Sequence, residues 1–236
     1  MPWTRLAVVS VIALLGAAGI YWAVAPTITD WFGLDRATIR YRMTVSATVD
    51  GKPVSASAVQ ELDVWAEFTP VTNFGRTSTR IYGEAVLLPV NGGAALLVLL
   101  YGEHDIEDAW DKQMLHACNI NGLTPHDVVA AARAFGGPCV LAPEAHPLVI
   151  SMANQSDPNT VLKVMPPTDA TIGGHHVHID KITLAATNDP PANDIVRALP
   201  WLARSGYGNI YGGLGVADTP NGLPLYRSAF YSLRMN

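Results

Sequence analysis

From Leu6 to Ala25 the chain runs twenty residues without a charged side chain. At a helical rise of about 1.5 Å per residue that run is about 30 Å long, the thickness of a bilayer's hydrocarbon core. A cleaved export signal needs an apolar stretch of only about 7–15 residues. Tyr21 and Trp22 stand near the far end, where aromatic rings favour the lipid–water interface. A small-residue cleavage site is present at Ala23-Val24-Ala25, but Pro26 follows it and hinders cleavage. The run therefore reads as an uncleaved signal anchor and linker over residues 1–33, ahead of one body over residues 34–236. Arg5 and the free amine precede the run, and no positive charge falls in the ten residues after Ala25. Large domains cross largely regardless of their own charges, so the expected topology is N-terminus inside and body outside. That places the protein in a bacterial inner membrane, single-pass, with its body on the periplasmic side and the lipid bilayer as its first partner.

The body has roughly two hundred residues, enough to bury a core without staples. Charged residues are 15% of the chain and the net charge is −5, which leaves no excess of basic residues for nucleic acid. Ile39, Tyr41, Met43, Val45, Ala47 and Val49 alternate with Arg40, Arg42, Thr44, Ser46 and Thr48, the period of a half-buried strand. Asp50-Gly51 suits a tight hairpin turn, after which a second strand returns through Val54, Ala56 and Ala58. "TRIYGEAVLLPV", Asn91-Gly92-Gly93 and "AALLVLLY" read as a second hairpin whose arms are apolar on both faces and so doubly covered. Further strands are expected at "HPLVISMA", "NTVLKVM", "HHVHIDKITLAAT" and "LPLYRSAFYSLRM", with a turn or two of helix in "PANDIVRALPWL" stopped by Pro200.

Between them, residues 106–136 change character. "DIEDAWDKQMLHACNI" suits a short helix, and "LTPHDVVAAARAFGG" a better one. Thr124 is its N-cap, Pro125 its first residue, Asp127 its third, and Gly136 its stop. Val128, Ala131, Ala132 and Phe135 would share its apolar face. The fold class is thus mainly β: an N-terminal transmembrane helix, then a β-sandwich-like body with a small helical insertion. Cys118 and Cys139 lack the spacing of a zinc or redox site, and a bond between them would tie the start of the insertion to its end. In an exported body their pairing is reasonable and is worth on the order of 3 kcal/mol in the chain-entropy model. Two buried thiols are the alternative.

"RYRMTVSATVDGKPVSASAVQE", "YGEAVLLPV", "PLVISMANQSDPNTVLKVMP", "KITLAATNDPP" and "ALPWL" together resemble a family of uncharacterised bacterial envelope proteins, each a membrane-anchored, β-rich body of similar length. The resemblance covers most of residues 38–202. It implies architecture and supplies no catalytic residues.

"GGHHVHID" is the most chemical stretch. On a strand His176, His178 and Asp180 point to one face, and two imidazoles with a carboxylate suit a divalent metal; His175 points away. A polar edge of a sheet is the plainer reading. Glu103, His104, Asp105, Glu107, Asp108 and Asp111 form an acidic run without the spacing of a calcium loop. "SGYGNIYGGLG" (Ser205 to Gly215) lacks the glycine spacing of a dinucleotide turn and reads as a loop, sticky through Tyr207, Ile210 and Tyr211. Nucleophile, metalloprotease and P-loop motifs are missing from the sequence. The expectation is a non-catalytic interaction or accessory subunit of an inner-membrane assembly, with other membrane or periplasmic proteins as partners and no cofactor. The alternative is a metal-binding protein or metal-dependent enzyme using the His175–Asp180 segment.

Overall fold

The computed structural model describes residues 35–67, 76–101, 114–164, 168–191, 194–204 and 230–232. The Leu6–Ala25 run with Tyr21 and Trp22, the acidic run from Glu103 to Asp111 and the glycine-rich loop from Ser205 to Gly215 lie outside them. Among the described residues no helix is long and apolar enough to cross a membrane.

Two long strands set the frame. β1 (Arg36–Val49) alternates buried and exposed residues without a break, and pairs antiparallel along its whole length with β2 (Lys52–Glu67). The turn between them is Asp50-Gly51, with φ of 49° and 78°. Two consecutive positive φ angles give the two-residue turn whose twist matches the flanking strands. Tyr41, Met43 and Val45 are fully buried. Each contributes roughly 1.5–3 kcal/mol by leaving water.

β3 (Arg76–Glu84) continues the same sheet on the far side of β2. The expected arm "TRIYGEAVLLPV" is not one strand. It divides at Gly83–Ala85, and the chain passes into a second sheet as β4 (Val86–Pro89). Gly83 has φ of 113°, and a Cβ there would lie 2.7 Å from the Val59 carbonyl oxygen, so only glycine fits this corner. β4 pairs with β5 (Ala95–Val98) across a turn at Asn91–Gly93, as the sequence suggests.

After a helical turn at residues 114–117 come α1 (Pro125–Arg133), β6 (Cys139–Leu141), β7 (Val149–Met152), β8 (Val161–Lys163), β9 (Asp169–Ile172) and β10 (His175–Ala186). Then follow α2 (Ile195–Ala198), α3 (Trp201–Arg204) and β11 (Tyr231–Ser232). The protein is mainly β. Sheet A has the order β11-β3-β2-β1-β10-β6, with β9 also on β10; sheet B has the order β4-β5-β7-β8. The strands β6 and β9 were not legible from the pattern, because three or four residues show no period. Pro200 does end α2, but α3 begins directly after it.

The main core lies between the sheets: the inward row of β1, Leu88, Leu96 and Val98 of sheet B, Ile182 and Leu184 of β10, and Val129 and Ala132 of α1. The other face of sheet B, with Ala95, Leu97 and Ile150, is covered by Ile195, Leu199, Leu202 and Phe230. Trp201 meets Phe230 edge to face at 5.4 Å and donates its indole N–H to the Gln155 carbonyl at 2.9 Å. The double burial expected of "AALLVLLY" is therefore present.

β10 carries one irregularity. Its register on β1 shifts between Ser46 and Ala47, where Ser46 faces Lys181 and Ala47 faces Ile179, leaving Asp180 as the extra residue of a bulge. Val177 and Ile179 point inward before it, Ile182 and Leu184 after it. The bulge thus reconciles an odd-numbered apolar row with an even-numbered one. Deleting Asp180 restores a regular ladder and should lower stability by no more than about 1 kcal/mol. Deleting His178 turns Val177 outward and should cost about 2 kcal/mol or more. Urea denaturation of the two deletions checks the order; an equal loss would refute this account of the bulge.

Candidate functional site

The helical insertion builds the concave feature of the surface. Cys118 follows the turn at residues 114–117, and Asn119, with φ of 58°, reverses the chain so that Ile120 is buried. Thr124 caps α1 by a reciprocal pair: its hydroxyl accepts the Asp127 N–H, and the Asp127 carboxylate accepts the Thr124 N–H. Val129 and Ala132 are the buried residues of the helix, while Val128, Ala131 and Phe135 are half-buried against the same core. The expected face was therefore displaced by one position, since the helix meets the sheet through Val129.

Asp35 clamps this helix to the start of β1. Its carboxylate bonds His126 Nδ1 and accepts from Arg133 Nη2 at 2.6 Å, and Arg133 also donates to the Arg36 carbonyl at 2.8 Å. Residues seven apart on a helix share a face, so one carboxylate holds both ends of α1. Burial pushes the Asp35 carboxyl up, but the bonds from His126 and Arg133 outweigh it and hold it below its ordinary value.

From the end of α1, Phe135-Gly136-Gly137-Pro138 leads into β6, and a disulfide joins Cys139 to Cys118 with a Cα–Cα distance of 5.4 Å. The expected pairing is present, tying the insertion's middle to its end. Between these segments opens a groove of about 540 Å³. Ile120, Phe135, Gly136, Gly137, the disulfide and Val140 line it, and none of its lining residues is charged. β6 closes sheet A on this side: it pairs with β10 through Cys139, Val140 and Leu141 and has no strand on its other edge among the described residues. Leu141 points into the core, whereas Val140 is 62% exposed. Sequence reasoning missed Val140; the signal was an apolar β-branched residue directly after Gly-Gly-Pro-Cys, in a stretch to which no element was assigned.

The histidine stretch forms otherwise than the metal reading requires. His176, His178 and Asp180 do lie on one exposed face of β10. His178 and Asp180 bond to neighbouring strands and not to each other. His178 Nδ1 bonds Asp169 at 2.8 Å across the β9–β10 hairpin, and Asp180 accepts from the Thr48 hydroxyl at 3.1 Å. His175 Nδ1 bonds Asp50 at 2.6 Å, and the His176 N–H donates to the same carboxylate at 2.9 Å. The imidazole bonds hold the Asp50 and Asp169 carboxyls below their ordinary values. These contacts staple the tip of the β1–β2 hairpin to that of β9–β10. Among the described residues no group of three His, Cys, Asp or Glu side chains converges on a metal position.

A second polar group went unnoticed in the sequence. Glu61 and Asp63 point to the outer face of sheet A yet are buried, because Arg40 and Arg36 of β1 lie over them. Arg40 Nε donates to Glu61 at 2.7 Å, and the Thr38 hydroxyl donates to Asp63 at 2.6 Å. Glu84, at the corner between the sheets, accepts the Ile195 N–H at 2.7 Å and so fixes the start of α2; burial pushes its carboxyl up. No nucleophile or open acid–base pair accompanies these groups among the described residues, which act as structural bonds.

Comparison with protein-family models, with curated proteins and with solved structures finds no match for the chain. The groove and the open edge beside it therefore stand on their own geometry.

Two outcomes follow for the insertion. The folded-state pKa of Asp35 lies below its ordinary value of 3.8, so its stabilisation is complete above about pH 4 and is lost as pH falls through the lower, folded value. Asp35→Asn should cost about 1 kcal/mol at pH 7 and much less at pH 2.5, measured by urea titration at both; the same cost at both would contradict the clamp. For the bridge, the denatured, unreduced protein should expose no reactive thiol, and reduction should lower stability by about 3 kcal/mol. Labelling of both cysteines before reduction would remove the bridge.

Proposed function

We propose that this chain is a single-pass protein of the bacterial inner membrane whose β-rich body, on the periplasmic side, works as a non-catalytic interaction or accessory module. The observation that carries the reading is the rim of sheet A: an apolar residue on a strand with no further strand beside it among the described residues, next to an uncharged groove braced by a disulfide. β6 is short, and an exposed apolar residue at a sheet rim is a place where another protein surface packs. His126, His175 and His178 sit elsewhere, paired with Asp35, Asp50 and Asp169 in contacts that hold hairpins and a helix together. The twenty uncharged residues from Leu6 to Ala25 support attachment to a bilayer, and a bridge between Cys118 and Cys139 fits an oxidising compartment. The resemblance to membrane-anchored β-rich envelope proteins points the same way.

A photo-reactive residue placed at Val140 or, as a control, at the exposed Lys52 tests the reading in the bacterial host. Carbonate-washed membranes should retain the chain with its N-terminal run by intact mass, and a discrete cross-linked product should form from position 140 alone. A chain released from the membrane with a mature start at Pro26 or later would overturn the anchor. Identical labelling from both positions would overturn the rim as the working surface.

A further inference from the structure

We propose that the end of the body where β1 begins makes a second contact with the bilayer, by resting the side chain of Leu123 in the lipid–water interface. The inference goes beyond an anchored body and rests on the anchor reading above for the membrane itself.

The first observation is the leucine. Leu123 is fully exposed. It stands directly before the N-cap of α1, where an apolar side chain commonly folds back onto the fourth residue of the helix. Here Val128, the residue it would meet, packs against the main core, and the leucine points away. The turn that presents it is held on both sides. A Cβ at Gly122 would lie 2.3 Å from the Asp127 Cβ, so the chain before Leu123 is folded tightly onto the helix. Thr124 after it is fixed by the reciprocal cap. An apolar side chain on a tip already ordered enters an apolar phase without the cost of ordering its backbone.

The second observation is position. β1 has 14 residues, about 45 Å at a strand's rise, so sheet A has two well-separated ends. From Pro26 to Asp35 the chain can reach at most about 36 Å, which ties the start of β1 to the end of the uncharged run. Asp35 bonds His126 directly, and Leu123 stands three residues before His126, no more than about 11 Å of chain. The leucine therefore belongs to the end of the sheet that the anchor feeds. The far end, at the Asp50-Gly51 turn, carries the exposed Lys52 and the bonded Asp50 and His175.

The third observation is charge. At the near end Arg36 pairs with Asp63, Arg76 with Glu67, and His126 and Arg133 share Asp35. Asp127 is taken up by the cap. These carboxylates each have a partner, so an interface can approach without stripping water from a lone charge. Trp65, half-buried at the same end, lies under the Arg36 guanidinium at 5.9 Å and donates its indole N–H to Glu67 at 2.9 Å. Tryptophan is a side chain that favours the lipid–water interface. The contact is apolar and neutral on balance, so it takes zwitterionic and anionic lipid alike. A single tether leaves the body free to turn; a second contact fixes which surface faces away from the membrane.

The probe is the full, unaltered chain reconstituted into phosphatidylcholine vesicles that contain a phospholipid with a photo-reactive diazirine near its headgroup. Lipid adducts are mapped by mass spectrometry after digestion. They should form on residues 6–25 and on residues 121–125, and not on residues 50–54 at the far turn. Leu123→Ser should lower the adducts on 121–125 about fivefold or more, leave those on 6–25 as they were, and leave the melting temperature unchanged, because the position is exposed. Replacing part of the phosphatidylcholine by phosphatidylglycerol should change neither set.

Adducts on 6–25 with none on 121–125 would leave the anchor standing and overturn this inference. Adducts on 121–125 that survive Leu123→Ser, or that require phosphatidylglycerol, would assign the contact to the arginines and equally overturn it. Adducts on neither stretch would remove the bilayer from both readings.

Discussion

The inner strands of sheet B, β5 and β7, have no face left for water, and the rest of the structure answers to that. Every residue of β5 is buried, with Leu96 and Val98 turned to sheet A and Ala95 and Leu97 to the opposite side. A short doubly apolar hairpin needs two lids. Sheet A supplies one, and the short helices after β10 with Phe230 supply the other. The connections follow from this requirement. The chain must leave sheet A at the Gly83 corner to enter sheet B, and must return past Glu84 to bring α2 onto the far side.

Burying so much of the chain leaves polar groups to be accounted for, and the accounting is local. Glu61 and Asp63 pair with Arg40 and Arg36, and Glu84 caps the backbone of α2. Removing one partner of such a pair strands a charge in a place without water, which costs far more than the intact pair contributes. The exceptions are few: Gln60 donates to the Glu84 carbonyl at 2.8 Å, but its own buried side-chain oxygen has no partner among the described residues. Gln60 faces Tyr41 in the β1–β2 register, and both residues are fully buried.

Periodicity carried the sequence reading where elements were long. The alternation from Ile39 to Val49, the Asp50-Gly51 turn and the Thr124 cap each have a local physical cause, and each is present in the structure. What escaped was decided by distant contacts. β6 and β9 are too short for a period, and they are strands only because β10 offers its edge. The split at Ala85 is invisible in an apolar run that serves two sheets. The adjacent polar pair Asp180-Lys181, between Ile179 and Ile182, was a legible sign of the bulge, which the metal reading of His176, His178 and Asp180 did not use. Shared orientation on a strand was correct for His176, His178 and Asp180, but orientation does not decide partnership: Asp169 and Thr48 arrive from neighbouring strands. The groove was illegible for the same reason, since its walls come from three segments joined by a bond the sequence could only suggest.

The bridge has a consequence for how the body matures. The chain holds two cysteines, so only one intramolecular connectivity exists. Proteins with several cysteines must sort native from non-native pairings by exchange, which takes seconds to hours and an isomerase. Here the first oxidation within the chain is also the last. A disulfide donor suffices, and proofreading has nothing to correct. The bonded partners are 21 residues apart, within a segment that precedes β7 and all later strands in the chain. The insertion can therefore be locked early, with its wall of the groove set before the sheet that it borders is complete.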